Sequence, residues 1–216
     1  MTDYLNGGDL AYYLHYKKKR FTEKQAKFII ANIILALEFV HSNGVIHRDV
    51  RPENCVFDDQ GYLSLIDFGL ARICFKNNSS DTSGTPCYMA PEILLRQNHS
   101  YTSDFFGLGV ILHEMMTGRK PYKGPDRISY KEQVLDAQKL LKKIDTPESW
   151  NLEATDFINK CISRRPESRL GLNNCVELKT HVWLKDFDWR GCTKREVKPP
   201  FKPKKGLKTP KKILIQ

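Results

Sequence analysis

Between positions 105 and 116 the chain reads FFGLGVILHEMM, apolar on nearly every side of a helix. A helix without a polar face must be surrounded, because burying one stripe alone would leave the rest of its apolar surface in water. That places it at the centre of a helical domain. A second long helix reads over 23–42. Thr22 is its N-cap, and Phe28, Ile29, Ala31, Ile33, Leu35, Leu37, Phe39 and Val40 form a broad apolar face. It stops at Asn43-Gly44, where glycine supplies a positive φ. Further helices are predicted near 130–143 and 154–163. Extended pieces are short: 45–46, 55–57 and 62–66, the last two joined by the turn DDQG at 58–61. The expectation is a mainly helical domain whose small strand region carries the polar motifs.

The 216 residues, 40% hydrophobic and 28% charged, suffice for a real core, so one domain plus a tail is expected. Six scattered cysteines (Cys55, Cys74, Cys87, Cys161, Cys175 and Cys192) form no C-x-x-C pair, which reads as reduced, intracellular thiols in cytoplasm or nucleus. Neither a basic leader with an apolar run nor a membrane span is read. The net charge of +10 is concentrated: positions 194–216 hold eight lysines and one arginine against one glutamate, +8 of the total. The body is nearly neutral, so this Pro-rich tail reads as a solvated or wrapping extension rather than a nucleic-acid site. The KKKR run at 17–20 reads as a helix C-terminus meeting solvent.

The chemistry lies in HRDVRPENCVF at 47–57 and SLIDFGLAR at 64–72. A carboxylate on a loop just after a strand can accept a proton from a substrate hydroxyl, and Asp49 fits. An asparagine five residues on and an aspartate beyond the next hairpin, Asn54 and Asp67, can hold divalent cations against polyphosphate oxygens, because hard cations take oxygen ligands and phosphates complete the shell. The series continues in order with GTPCYMAPE at 84–92 and SDFFGLGVILHEMMTGRKPY at 103–122. Chance does not assemble such an ordered set.

These residues resemble the protein-kinase catalytic domain over essentially the whole chain. The resemblance implies a kinase-like α+β fold: a mainly α-helical C-lobe with short β-hairpins, spanning 6–185, after a hinge remnant at 1–5 and before a basic C-terminal extension at 186–216. It implies Asp49 as catalytic base, Thr85 as the hydroxyl supporting it, and Asn54 and Asp67 as Mg²⁺ ligands. Arg51 stands where the family has a loop lysine near the γ-phosphate, a planar fork in place of a point charge. Glu92 and Arg169, the latter in RRPESRLG, match a structural ion pair. Asp104 matches the helix carboxylate that props the catalytic loop, and His47 and Phe68 match its scaffold. The implied cofactors are ATP and Mg²⁺, with Val56 as floor of the adenine site, the 3–5 backbone (Asp3, Leu5) as its edge, and Asp9 at the ribose.

LNGGDL at 5–10, RLG at 169–171 and HVWLKDFDW running into VKPPFKPK resemble the AGC group of serine/threonine kinases, and GRKPY with the tail resembles its YANK branch. That group reads arginines before the phosphorylated residue through acids matching Asp9, Glu53 and Glu114, which implies protein substrates with basic residues. Plain alternatives are that Asp9 mainly meets the ribose and Glu114 a neighbouring side chain. Asp81 stands at the group's activation-loop phosphothreonine, where a carboxylate would mimic phosphate toward Arg48; Thr82, Ser80 or Ser83 are the alternative phosphosites.

The Gly-rich loop, strand lysine and helix glutamate of a kinase small lobe have no match in these residues, and Thr2 falls at the gatekeeper position. The sequence therefore predicts a C-lobe without its N-lobe, binding ATP weakly alone and exposing apolar surface to a partner lobe or chain. A catalytically silent scaffold and, on the tail alone, a nucleic-acid binder are the competing readings.

Overall fold

The computed structural model describes residues 5–74, 78, 82–122, 130–139 and 144–203. After a π-helical turn at Tyr12–Tyr16 come α1 (Glu23–Ser42), β1 (Val45–Ile46), β2 (Cys55–Phe57), β3 (Leu63–Leu65) and β4 (Arg72–Ile73). The helices α2 (Pro91–Leu94), α3 (Thr102–Thr117), α4 (Tyr130–Lys139), α5 (Leu152–Cys161), α6 (Val176–Thr180) and α7 (Trp189–Thr193) follow.

The all-round apolar segment is the central helix α3, in which every residue from Thr102 to Met116 is buried. It packs on α1 and α5. Two glycines let it come close: a Cβ at Gly107 would lie 2.7 Å from the Val50 carbonyl oxygen, and one at Gly109 would lie 2.7 Å from the Cys161 Cβ. Helix α3 ends at Gly118, whose φ of 75° lets its N–H bond the Glu114 carbonyl at 2.8 Å.

Helix α1 begins as its sequence predicts. Thr22 Oγ1 accepts from the Gln25 N–H and Gln25 Oε1 accepts from the Thr22 N–H, a reciprocal capping box. By length and composition α1 could cross a bilayer, but its apolar face is spent inside the protein, with Ile29, Ile30, Ile33, Ile34 and Leu37 fully buried. The predicted face is corrected at one position, Phe39, which is 71% exposed; Leu35 is half-buried and packs against the cluster of Phe28, Tyr62 and Cys192. Leu35 and Phe39 lie four residues apart on one ridge and line a groove shared with Tyr62, Leu65 and Arg195.

The strands pair as two antiparallel ribbons, Val45 opposite Ile73 and Val56 opposite Ser64. In the turn between β2 and β3, Asp58 Oδ1 accepts from the N–H groups of Gln60, Gly61 and Tyr62 at 2.9, 2.8 and 3.0 Å. The helix predicted over 130–143 is described as far as Lys139; 140–143 lie outside the described residues. The one predicted over 154–163 starts earlier, at Leu152, because Asn151 Oδ1 caps the Ala154 N–H at 2.8 Å. Pro-rich residues beyond α7 return over the domain: Phe201 is buried against the rings of Tyr13, Phe21 and Phe57, at centroid distances of 4.9, 5.3 and 5.2 Å. None of the six cysteines is in a disulfide.

Candidate active site

Strand β1 delivers His47-Arg48-Asp49 directly in front of α3. Arg48 sits at φ 65°, a left-handed conformation uncommon for a side chain of its size. Asp104, in the first turn of α3, holds the bend: its Oδ2 accepts from the His47 N–H at 2.9 Å and its Oδ1 from the Arg48 N–H at 2.8 Å. His41, near the end of α1, adds a third bond to Asp104 Oδ2 at 2.8 Å. Burial pushes the Asp104 carboxyl up, but the His41 bond and the charges of His41 and His47 outweigh it and hold it below the usual carboxylate range.

The bend aims Asp49 outward, half-buried, and two side chains fix its carboxylate. Thr85 Oγ1 donates to Oδ1 at 2.7 Å; Asn54 Nδ2 donates to Oδ2 and to the Asp49 carbonyl, both at 2.8 Å. Asn54 can reach back because Pro52–Asn54 forms a 3₁₀ turn, and the Asn54 carbonyl accepts from the Ile66 N–H at 2.9 Å. That last bond sets Asp67 beside the loop, at φ 63°, with its Oδ1 accepting from the Gly69 N–H at 3.1 Å. His47 bonds the Ile66 carbonyl through Nε2 at 3.1 Å and meets the Phe68 ring at 4.9 Å.

These bonds decide which atoms could hold a divalent cation. Both contacts of the Asn54 amide nitrogen go to Asp49, which directs its Oδ1 elsewhere, and Asp67 is an exposed carboxylate. Two hard oxygen donors suit Mg²⁺, which binds through one or two side chains and takes the rest of its shell from water and phosphate. No group of three or more His, Cys, Asp or Glu placed to hold a metal ion occurs among the described residues, and the two oxygens here leave room for such ligands.

Arg51 reaches the same carboxylate network: its NH1 donates to Thr85 Oγ1 at 2.5 Å and its Nε to Glu53 Oε2 at 2.8 Å. Burial raises the Glu53 carboxyl, but Arg51 outweighs it and leaves the group below its ordinary value. Glu114, from the last turn of α3, accepts from Tyr88 Oη at 2.8 Å and is bonded to His15 Nε2 at 2.7 Å. Asp9 is buried and caps the π-helical turn, its Oδ1 accepting from the Tyr12 N–H at 2.6 Å. Desolvation raises its carboxyl despite that bond. Asp9 also pairs through its backbone with Val56, which is 2% exposed, while Leu5 is half-buried. Asp3, Thr2, Asp81 and Ser80 lie outside the described residues; Thr82 is half-buried, and Arg48 Nε donates to the Leu70 carbonyl at 2.7 Å.

Away from the loop, Arg169 grips Glu92 with both nitrogens, NH1 to Oε1 at 2.6 Å and NH2 to Oε2 at 2.9 Å, with both side chains buried. So the structure brings Asp49, Asn54, Arg51, Glu53 and Thr85 into one bonded network with Asp67 next to it, and sets Glu92, Arg169 and Asp104 beneath. Sequence reasoning passed over His41, Tyr88 and His15. His41 carried a faint signal, a histidine one turn before the Asn43-Gly44 stop; His15 carried none, since its partner is 99 residues away.

A protein kinase domain profile matches residues 1–184. Human ribosomal protein S6 kinase alpha-1 is 39% identical over 205 residues, and chicken ribosomal protein S6 kinase 2 alpha is 38% identical over 208, the alignments covering 93% and 94% of this chain and 27% of each relative. A probable serine/threonine-protein kinase of Dictyostelium discoideum is 36% identical over 208 residues, covering 95% of this chain and 44% of its own. The chain belongs to the protein kinase family, within reach of its serine/threonine branch. It spans about a quarter of the length of the S6 kinases it matches.

Proposed function

We propose that the chain is the catalytic, substrate-binding lobe of a serine/threonine protein kinase that moves the γ-phosphate of ATP to a serine or threonine hydroxyl of a protein substrate. One observation carries this reading: the Asp49 carboxylate is bonded on one oxygen by Thr85 and on the other by Asn54. Held at both oxygens, it cannot rotate, so its remaining lone pairs present a fixed acceptor to an incoming hydroxyl. Asp49 orients that hydroxyl and takes its proton as the oxygen bonds phosphorus and the ADP oxygen leaves. Asn54 Oδ1 and the Asp67 carboxylate would hold Mg²⁺, which would supply charge neutralisation at the phosphate oxygens. Arg51, fastened to Thr85 and Glu53, ties the substrate side of the loop to the base and sets a cation beside it. Glu114, Glu53 and Asp9 form the acidic side of the groove and favour substrates with arginines ahead of the acceptor.

Phosphate positioning supplies most of the acceleration in this chemistry, and the phosphate-facing groups named here all come from one side. These 216 residues by themselves are therefore weak in ATP binding and transfer. A small lobe, from the same or another chain, would cover the exposed Phe68 and Ile73. The test is Mg²⁺-ATP-dependent transfer to an arginine-rich serine peptide. Asp49→Asn lowers the rate by about 10²–10⁴-fold, and Asp67→Ala abolishes Mg²⁺-dependent nucleotide binding. Transfer that survives both substitutions would remove Asp49 and Asp67 from these roles, and a chain that neither binds Mg²⁺-ATP nor transfers phosphate even with a small lobe supplied would favour a scaffold.

A further inference from the structure

The acidic groove already has an occupant. The Glu114 side chain is only 6% exposed. Tyr88, itself buried, closes it from the inside, and His15, 42% exposed at the side chain, closes it from solvent. A guanidinium arriving from a substrate can reach Glu114 only by taking the place of the His15 imidazole. Other charges around His15 come from each neighbouring element: Asp9 ahead of its own π-helical turn, Glu53 on the loop after Asp49, and Lys120 beyond α3. Lys120 Nζ in turn stands 4.9 Å from the ring of Tyr88, the other partner of that carboxylate. Glu53 is itself bonded by Arg51, so Glu114 is the member of the groove whose partner can change its charge near neutral pH.

We propose that His15 is a specificity-determining residue of the groove: as imidazolium it keeps Glu114 from a substrate arginine, and as neutral imidazole it yields Glu114 to that arginine. The reason is the difference between the two bonds it can make. An imidazolium–carboxylate pair is charge-assisted and is displaced only by a stronger cation, whereas a neutral imidazole gives an ordinary hydrogen bond. The Glu114 bond outweighs burial and lifts His15 above its ordinary value of 6.5, so the exchange falls at a higher pH than it would for a free imidazole. Arginine binding and His15 protonation oppose one another, and the opposition is reciprocal. The inference rests on the reading of Glu114 as a recogniser of substrate arginine.

The test is fluorescence anisotropy on the 216-residue chain, with a labelled serine peptide carrying arginines ahead of the serine and a counterpart with alanines there. The wild-type Kd for the arginine peptide should fall about three- to tenfold from about pH 6 to about pH 8.5, while the alanine peptide changes little. His15→Gln keeps a hydrogen-bond donor but cannot titrate, so its profile should be flat and tight. His15→Arg fixes the charge, so its profile should be flat and weak. His15 is solvent-facing, so neither change threatens folding. Superimposable wild-type and His15→Gln profiles, with the arginine preference still lost in Glu114→Gln, overturn the role of His15 and leave the basic-substrate groove standing. Arginine and alanine peptides binding alike at every pH overturn the groove itself, and the inference with it.

Discussion

At the scale of single residues, the polar groups inside α3 show how a helix without a polar face can still carry chemistry. Asp104 is spent on two backbone N–H groups of the bend before Asp49, and Glu114 on Tyr88 and His15. His113 is different: it is buried, and its partners among the described residues are local, its Nδ1 bonding the Arg119 carbonyl at 2.8 Å. Burial disfavours the imidazolium and pushes His113 down to about 4. The unfolded chain takes up that proton near pH 6.5 and the folded chain resists until about pH 4. The stability His113 protects is therefore whole above 6.5, falls as pH drops through this window, and levels off below it. At about 1.4 kcal/mol per pH unit the loss approaches about 3 kcal/mol. His113→Asn keeps an N–H near Nδ1 without titrating. Urea unfolding at stepped pH should show the wild type losing this stability relative to the variant between pH 6.5 and 4. Parallel curves would mean that His113 is hydrated when folded.

At the scale of elements, the loop carrying Asp49 keeps its place because α3 comes unusually near it. The position of a Cβ on Gly107 is 2.7 Å from the Val50 carbonyl oxygen and 3.2 Å from the Val50 Cβ. Gly107→Ala must push the loop off the helix, at a cost of about 1–3 kcal/mol. Thermal unfolding should move down by roughly 5 °C, and peptide phosphorylation should fall further than stability does, since Asp49 immediately precedes Val50 and is displaced with it. An unchanged melting temperature would show that the loop yields freely. The helices α1 and α3 were legible in the sequence because their signals are local: in α1 a cap, a period of apolar residues and a stop, in α3 a run apolar on nearly every side. So were the members of the bonded network around Asp49, whose order along the chain is itself the signature. The short α2, α6 and α7 were not, since each is too brief for a period to show and forms only when its neighbours fold over it. Phe39 was misplaced for a related reason: a periodicity names an apolar face but not how much of it the rest of the chain will cover.

At the scale of the whole molecule, the Glu92–Arg169 pair joins parts far apart in the chain. Glu92 lies in α2, 77 positions before Arg169, and the guanidinium also donates to the Thr102 carbonyl at 3.0 Å and the Ser163 carbonyl at 3.1 Å. It stands over the Phe106 ring at 5.2 Å. Four segments thus meet on one cation, among them the end of the segment that carries Thr85 and the start of α3 that carries Asp104. A buried pair need not add net stability over an apolar substitute, but losing one partner strands the other charge without water, at about 3–5 kcal/mol. Glu92→Gln and Arg169→Met should each cost about that much in urea unfolding. Glu92→Gln/Arg169→Met should cost less than the two together, by about 2–3 kcal/mol, because no charge is then left alone. Strict additivity would show that each residue acts through its other contacts. Coupling of the expected size would make the pair a clamp, through which unfolding around α5 and α6 reaches the loop that holds Asp49.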